Sequence, residues 1–172
     1  MSEAPRAAKP ASDSHVTLTQ MMEVTDANVA GNVHGGVIMR LVDTAAALAA
    51  IRHAGGLAVT VSLDEMTFLE PVHIGDVVTL RAAVNDVGTT SMECGVRVEA
   101  EDPITGHRVH AASAYLVFVA IDEQGHPRPV AALQAESETE QRRQREAKLR
   151  RQTRMAHKDA LKAARAGEDH PG

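Results

Sequence analysis

Between Val37 and His53 the chain reads VIMRLVDTAAALAAIRH, without proline or glycine, rich in strong helix formers and apolar on nearly every face. A helix of that kind cannot rest on a surface. It has to be enclosed, and the remaining chain has to supply the enclosure. Gly55 and Gly56 end the segment.

Four strand-like segments follow, at roughly Ala58–Phe68, Val77–Val87, Ser91–Glu101 and Arg108–Ile121. Turn chemistry separates them at Pro71, Gly75-Asp76, Gly88 and Pro103 to Gly106. A shorter strand lies within His15–Glu23, before the polar loop Thr25 to Asn28. Strand, enclosed helix and four-strand meander together predict an α+β fold, an antiparallel sheet wrapped around one long buried helix, which is the outline of a hotdog fold.

The ends have a different composition. Residues 1–14 are rich in Ala, Pro and Ser without periodicity, which predicts a disordered lead-in to a domain spanning 15–133. From 134 to 172 the chain is a charged run that favours helix, and its apolar spots, Leu149, Met155, Ala156, Ala160 and Leu161, form only a thin stripe. This tail is expected to pack on a neighbour or to stay partly free. It holds ten Lys/Arg against seven Asp/Glu, leaving eight against sixteen in the first 133 residues, so the globular part is acidic and the tail basic.

Several function classes drop out. No apolar run approaches the roughly 20 residues that cross a bilayer, and MSEAPRAAKPASDSH lacks the apolar core of a secretory signal, so a cytoplasmic protein without a membrane partner is expected. Phe68, Phe118 and Tyr115 are the only aromatic residues and leave little for base stacking, while acidic residues interleave the basic tail. No nucleic-acid partner is expected. Cys94, the single cysteine, reads as a small buried residue in preference to a nucleophile. No metal is expected either, because His107 and His110 point to opposite faces of a strand.

Asp43 is the one carboxylate in the enclosed helix, so it needs a partner or a task. An i, i+3 ion pair with Arg40 would be the structural explanation. Gly35 and Gly36 open the same helix, where free N–H groups and the positive dipole end suit a developing oxyanion; close packing or a tight turn explains the glycines equally. Gly36 and Asp43 are separated by seven residues, about 10 Å along a helix. One substrate carbonyl cannot touch both within one chain, so a shared task for them requires two subunits. Asn28 is by itself either a turn residue or a functional one. The loop Gly88-Thr89-Thr90-Ser91 offers amides and hydroxyls to a phosphate, or is an ordinary hairpin turn.

The segments TDANVAGNVHGGVIMRLVDTAA, TVSLDEMTFLEPVHIGD and VGTTS, and the late strand with Phe118-Val119-Ala120, are similar to the cytosolic acyl-CoA hydrolase type of hotdog thioesterase, including its double-hotdog brain form. The resemblance spans roughly Met21 to Val130. It implies hydrolysis of acyl-CoA, with Asn28 and Asp43 forming the active site across a dimer, two complete sites per homodimer, and a trimer of dimers as the assembly. It also implies that Thr60, Ser62 and Phe68 help line the groove in which the amides and hydroxyls of Gly88, Thr90 and Ser91 are expected to hold the CoA portion, with the Gly35 amide beside that of Gly36 at the helix start. His34 departs from the pattern, standing where relatives often carry an aromatic residue. The chemistry of these residues suggests a mechanism in which Asp43 activates water or attacks directly, Asn28 positions the water and the Gly36 N–H polarises the thioester carbonyl. A thiolate leaves readily, so neither a cofactor nor a Ser-His-Asp triad is expected. A non-catalytic acyl-CoA binding protein using the same groove is the alternative.

Overall fold

The computed structural model of the chain describes residues 7–168. In order these form β1 (Lys9–Pro10), a 3-10 turn (Ala11–Ser14), β2 (Val16–Met21), a second 3-10 turn (Val24–Asp26), α1 (Gly35–Ala54), β3 (Ala58–Phe68), β4 (Val77–Val87), β5 (Ser91–Glu101), β6 (Arg108–Ala120), β7 (Leu133–Gln134) and α2 (Glu138–Glu168). The main sheet is antiparallel with strand order β2-β4-β5-β6-β3. β4 to β6 form a meander, but the expected four-strand meander is corrected: β3 pairs with β6 at the far edge, because β2 takes the place beside β4.

The two-residue period of the strands sends one set of side chains toward α1. Leu80 and Val84 of β4, Met92 and Val98 of β5, and Leu116 and Phe118 of β6 share a single buried cluster with the helix. From α1 come Ile38, Leu41, Val42 and the alanines at 45, 46, 49 and 50. The alanines let the helix backbone approach the sheet closely, so this core fills with Phe118 as its one fully buried aromatic. Gly55 ends α1 in the left-handed conformation at φ 65°, where a side chain would be strained.

One face of α1 is not enclosed, which corrects the expectation from its composition. Met39, Leu48 and Ile51 keep 43, 38 and 37% of their surface, and Arg40, Asp43 and Thr44 share that open side. Beside it the edge strand β3 exposes Val59, Val61 and Leu63 at 42, 56 and 41%. The physical reason is that one sheet curls around only half of the helix. Apolar side chains thus stand exposed beside a sheet edge whose backbone groups have no neighbouring strand.

Both ends also depart from expectation. The disordered lead-in expected over 1–14 is ordered from Lys9: β1 pairs in parallel with β7, and Ala11 and Ser14 are buried. The Ser14 hydroxyl donates to the Ala11 carbonyl at 2.6 Å and accepts the Val84 N–H at 2.9 Å, which pins the turn to β4. Residues 1–6 lie outside the described residues. The charged tail folds back on the outer face of its own sheet. Ser137 caps α2 and Glu140 returns to the N–H groups of Glu136 and Ser137, both at 2.9 Å. Ala147 is buried, Arg150 pairs with the buried Glu93 at 2.6 Å and stacks 3.6 Å over the Tyr115 ring, and Arg154 pairs with Asp64. Met155 and Leu161, farther along, are exposed.

His53 is buried near the end of α1, with Nε2 bonded to the Ala131 carbonyl at 2.9 Å and Nδ1 without a partner. Burial holds its pKa below the ordinary 6.5. The unfolded chain therefore takes up the proton first as the pH falls. Stability is complete above about pH 6.5 and is lost as the pH drops from there toward the folded-state pKa. Urea denaturation of wild type across this range is expected to show that loss, and His53→Gln is expected to show a smaller one; equal pH dependence in the two would contradict it.

Candidate active site

Asn28 stands in the loop that leads into α1. Its Oδ1 accepts the N–H groups of Ala30 at 2.8 Å and Asn32 at 3.2 Å, so the side chain shapes the loop as a turn residue does. Its Nδ2 reaches only the Val33 carbonyl at 3.5 Å, which is beyond the range of a good hydrogen bond and leaves the donor largely unused.

Asp43 is exposed in the single chain, which corrects the expected burial, and it forms no ion pair with Arg40 among the described residues. Its Oδ1 instead accepts a hydrogen bond from the Thr60 hydroxyl at 2.7 Å. β3 has register shifts between Thr60 and Ser62 and between Leu63 and Glu65, and such bulges re-aim side chains at a strand edge. Ser62 donates to Asp64 at 2.8 Å, and Asp64 is the carboxylate held by Arg154. That hydroxyl is committed to its own strand.

At the start of α1 the Gly36 N–H, expected to face substrate, donates to His34 Nδ1 at 2.9 Å. His34 is the N-cap. The Gly35 N–H has no acceptor among the described residues, and Gly35 lines a cavity of about 340 Å³ with Asn28, Ile38, Phe68 and Val72. The Phe68 ring packs on Gly35, where an added Cβ would meet it at 3.5 Å. Asn28, Gly35 and Phe68 thus come together, whereas Asp43, Thr60 and Ser62 lie outside this cavity, farther along α1 and β3.

Gly88, Thr90 and Ser91 lie elsewhere again. The Gly88 N–H donates to the Ser91 carbonyl at 2.7 Å, and the Thr90 carbonyl accepts the Ala120 N–H at 3.0 Å, so the segment is a hairpin turn sewn to the end of β6. The Arg151 guanidinium lies so close that a Cβ on Gly88 would sit 2.8 Å from it. Cys94 is fully buried, and burial pushes its thiol well above the ordinary range, which removes it as a nucleophile. His107 is exposed, and His110 is occupied by Arg97 and Ser113. Among the described residues no three His, Cys, Asp or Glu side chains are grouped to hold a metal.

Residues 30–107 match the family model described as thioesterase superfamily. An acyl-CoA thioester hydrolase of Bacillus subtilis, itself uncharacterized, is 38% identical over 162 residues, covering 92% of this chain and 94% of its own. The chain belongs to the hotdog thioesterase superfamily. Among solved hotdog thioesterases, the acyl-CoA hydrolase of Staphylococcus aureus, as its Asn28→Ala variant with coenzyme A, superposes with a TM-score of 0.88 at 31% identity, covering 96% of this chain and 99% of that one. The same hydrolase has been solved with Asp43→Ala and Thr60→Ala. An apo-hexameric acyl-CoA thioesterase superposes with a TM-score of 0.86 at 33% identity, covering 88% of this chain and 97% of that one.

Two neighbours of the candidate residues were not singled out as candidates from the sequence: His34, which caps α1, and Arg151, which lies against Gly88. His34 hides because histidine is not among the favoured N-caps, although its place before Gly-Gly is a signal. Arg151 lies in a tail whose basic charge is legible but whose individual contacts are not. Removing the cap with His34→Ala is expected to cost about 1 kcal/mol. Denaturant unfolding, with a lower midpoint at unchanged slope, measures it; an unchanged midpoint would show that the cap contributes nothing.

Proposed function

We propose that this chain hydrolyses fatty acyl-CoA esters to a free fatty acid and CoA, as a homo-oligomer in which each site is completed by two protomers. One observation carries the reading: a carboxylate oriented by Thr60 stands on the uncovered face of the helix whose opening turn holds the Asn28 and Gly35 cavity. The two stations are about 10 Å apart along α1. A second copy with its α1 alongside, running in the opposite sense, brings its Asp43 to the cavity of the first. It also covers Met39, Leu48 and Ile51 and the apolar edge of β3. A two-fold repeat supplies two such sites, and the hexameric relative supports a trimer of dimers.

In this reading Thr60 holds Asp43 Oδ1 and leaves Oδ2 to take a proton from water. The water attacks the thioester carbonyl carbon, the Gly35 N–H receives the developing oxyanion, and the spare Nδ2 of Asn28 positions the water. The C–S bond then breaks with the electron pair on sulfur. A thiol of pKa near 8.5 needs no strong general acid to leave, so no cofactor or metal takes part. Coenzyme A phosphates are assigned to the Gly88–Ser91 turn beside Arg151. The Staphylococcus aureus variants support the assignment, because this chain carries the same residue types under the numbers 28, 43 and 60. A cytoplasmic location is part of the reading, supported by the cytosolic acyl coenzyme A thioester hydrolase of mouse, 36% identical over 140 residues.

Release of CoA from short to long acyl esters tests the reading. Asp43→Ala is expected to lower turnover by about 10²- to 10⁴-fold, as for loss of a general base. Thr60→Val is expected to lower it by about 10- to 100-fold through loss of a hydrogen bond to a charged group. Folded, oligomeric wild type inactive on every ester would leave a non-catalytic acyl-CoA binding protein as the function.

A further inference from the structure

Between Thr60 and Glu65 the edge strand β3 breaks its two-residue alternation twice. Thr60 lies opposite Phe118 and Ser62 opposite Val117, so Val61 is an extra residue; Leu63 lies opposite Leu116 and Glu65 opposite Tyr115, so Asp64 is another. The faces follow from the register, because residues directly opposite one another on paired strands share a face. Phe118 belongs to the core around α1, whereas its neighbour Val117 borders a hollow on the other face with Ala147 of α2. In an unbroken strand Thr60 and Ser62, two residues apart, would share a face. The extra residue at 61 is what turns Thr60 toward Asp43 and Ser62 toward α2.

Such a segment needs an outside hold. β3 is paired on one side only, with β6, and each extra residue interrupts the ladder next to the hydroxyl that has to be placed. Asp64 supplies the hold. Its Oδ1 accepts the Ser62 hydroxyl at 2.8 Å and its Oδ2 accepts from Arg154 Nη1, so one carboxylate ties both irregular steps to α2. The pair is sheltered, with the Asp64 side chain keeping 10% of its surface and that of Arg154 29%. Arg150, one turn earlier on the same helix face, pairs with Glu93 of the inner strand β5 and fixes where the helix lies. Among the described residues no hydrogen bond or ion pair joins α2 to the sheet beyond Arg154.

We propose that Arg154, acting through Asp64, is a positioning residue for the hydrolysis: it fixes the bulged part of β3 so that the Thr60 hydroxyl stays on Asp43 Oδ1. The inference rests on the proposed hydrolysis, in which that hydrogen bond, 2.7 Å long, leaves Oδ2 to take the proton. Arg154 works from the face of the sheet opposite Asp43, so its effect on the carboxylate passes through the strand. It also borders the hollow beside Gly88 together with Arg151, where coenzyme A phosphates are assigned. The two roles have different kinetic signatures. Loss of a group that only holds coenzyme A raises KM and leaves kcat, whereas loss of a group that positions the base lowers kcat and leaves KM. The guanidinium is already committed to Asp64, which favours the second.

Steady-state release of CoA from short to long acyl-CoA esters by the intact oligomer tests the proposal, with thermal melting to confirm that each variant folds. Arg154→Met is expected to lower kcat about three- to tenfold, with KM within about twofold of wild type. Asp64→Asn is expected to do the same, and Arg154→Lys, which keeps the charge, to restore most of the rate. Arg142→Met, whose ion pair with Glu146 stays within α2, is expected to leave kcat unchanged. In a Thr60→Val background Arg154→Met is expected to have no further effect, because the hydroxyl it positions is gone. Hydrogen exchange of the β3 amides from Thr60 to Leu63, which needs no turnover, is expected to quicken in Arg154→Met and not in Arg142→Met. An unchanged kcat in Arg154→Met, a raised KM at unchanged kcat, a loss additive with that of Thr60→Val, or unaltered β3 exchange would each overturn it. Wild type inactive on every ester would remove the hydrolysis reading and this inference with it, an outcome distinct from an active wild type whose Arg154→Met variant is unimpaired.

Discussion

The molecule depends on a mismatch between one helix and one sheet. α1 carries more apolar surface than the sheet of its own chain can cover, and fully burying a side chain of the Leu, Ile or Met kind contributes about 1.5–3 kcal/mol. Met39, Leu48 and Ile51 on the helix and Val59, Val61 and Leu63 on β3 together leave several kcal/mol of hydrophobic stabilisation unrealised in a lone protomer. Asp43 sits within that uncovered patch. Covering the patch with a second copy, as proposed, therefore both stabilises the fold and withdraws the carboxylate from bulk water, where its interaction with a reacting group strengthens. Association and chemistry then share one surface.

A second constraint is the division of charge along the chain. The acidic sheet and the basic α2 meet through a few sheltered pairs, of which Arg150 with Glu93 is the most buried. Arg154 reaches Asp64 on the bulged part of β3, two residues from the hydroxyl of Ser62 and four from Thr60. The helix thus braces the edge strand that orients Asp43. An accessory element, expected from its sequence to pack on a neighbour or to stay partly free, is linked through Arg154 and Asp64 to the strand that carries Thr60.

How much of this was legible follows from the range of the signals. The long strands could be read because glycine and proline punctuate them and their alternation is local; Ala58–Phe68, Val77–Val87 and Ser91–Glu101 fall within the expected bounds. Asn28, Gly35 and Asp43 could be singled out by residue type and by family resemblance, and the helix rise alone showed that one chain could not bring the ends together. The open face of α1 was hidden, because apolarity states that a surface is to be covered and not by which chain. β1 was hidden because two residues carry no period and their partner strand is β7, far along the sequence. The docking of α2 was hidden because its partners Asp64 and Glu93 are 90 and 57 residues away. The capture of the Gly36 N–H by His34 was hidden for a different reason: it is a side-chain rotamer, which sequence does not specify.

The central claim is that Asn28 and Asp43 act together from different subunits. Co-expression of Asn28→Ala with Asp43→Ala, each inactive alone, measures it directly through CoA release by the purified mixed oligomer. With random pairing about half of the dimers are mixed, and each mixed dimer contains one site with both residues intact, so activity is predicted to return to about a quarter of wild type. If both residues acted within one chain, no subunit of the mixture would hold an intact pair, and activity remaining at the level of the separate variants would contradict the account.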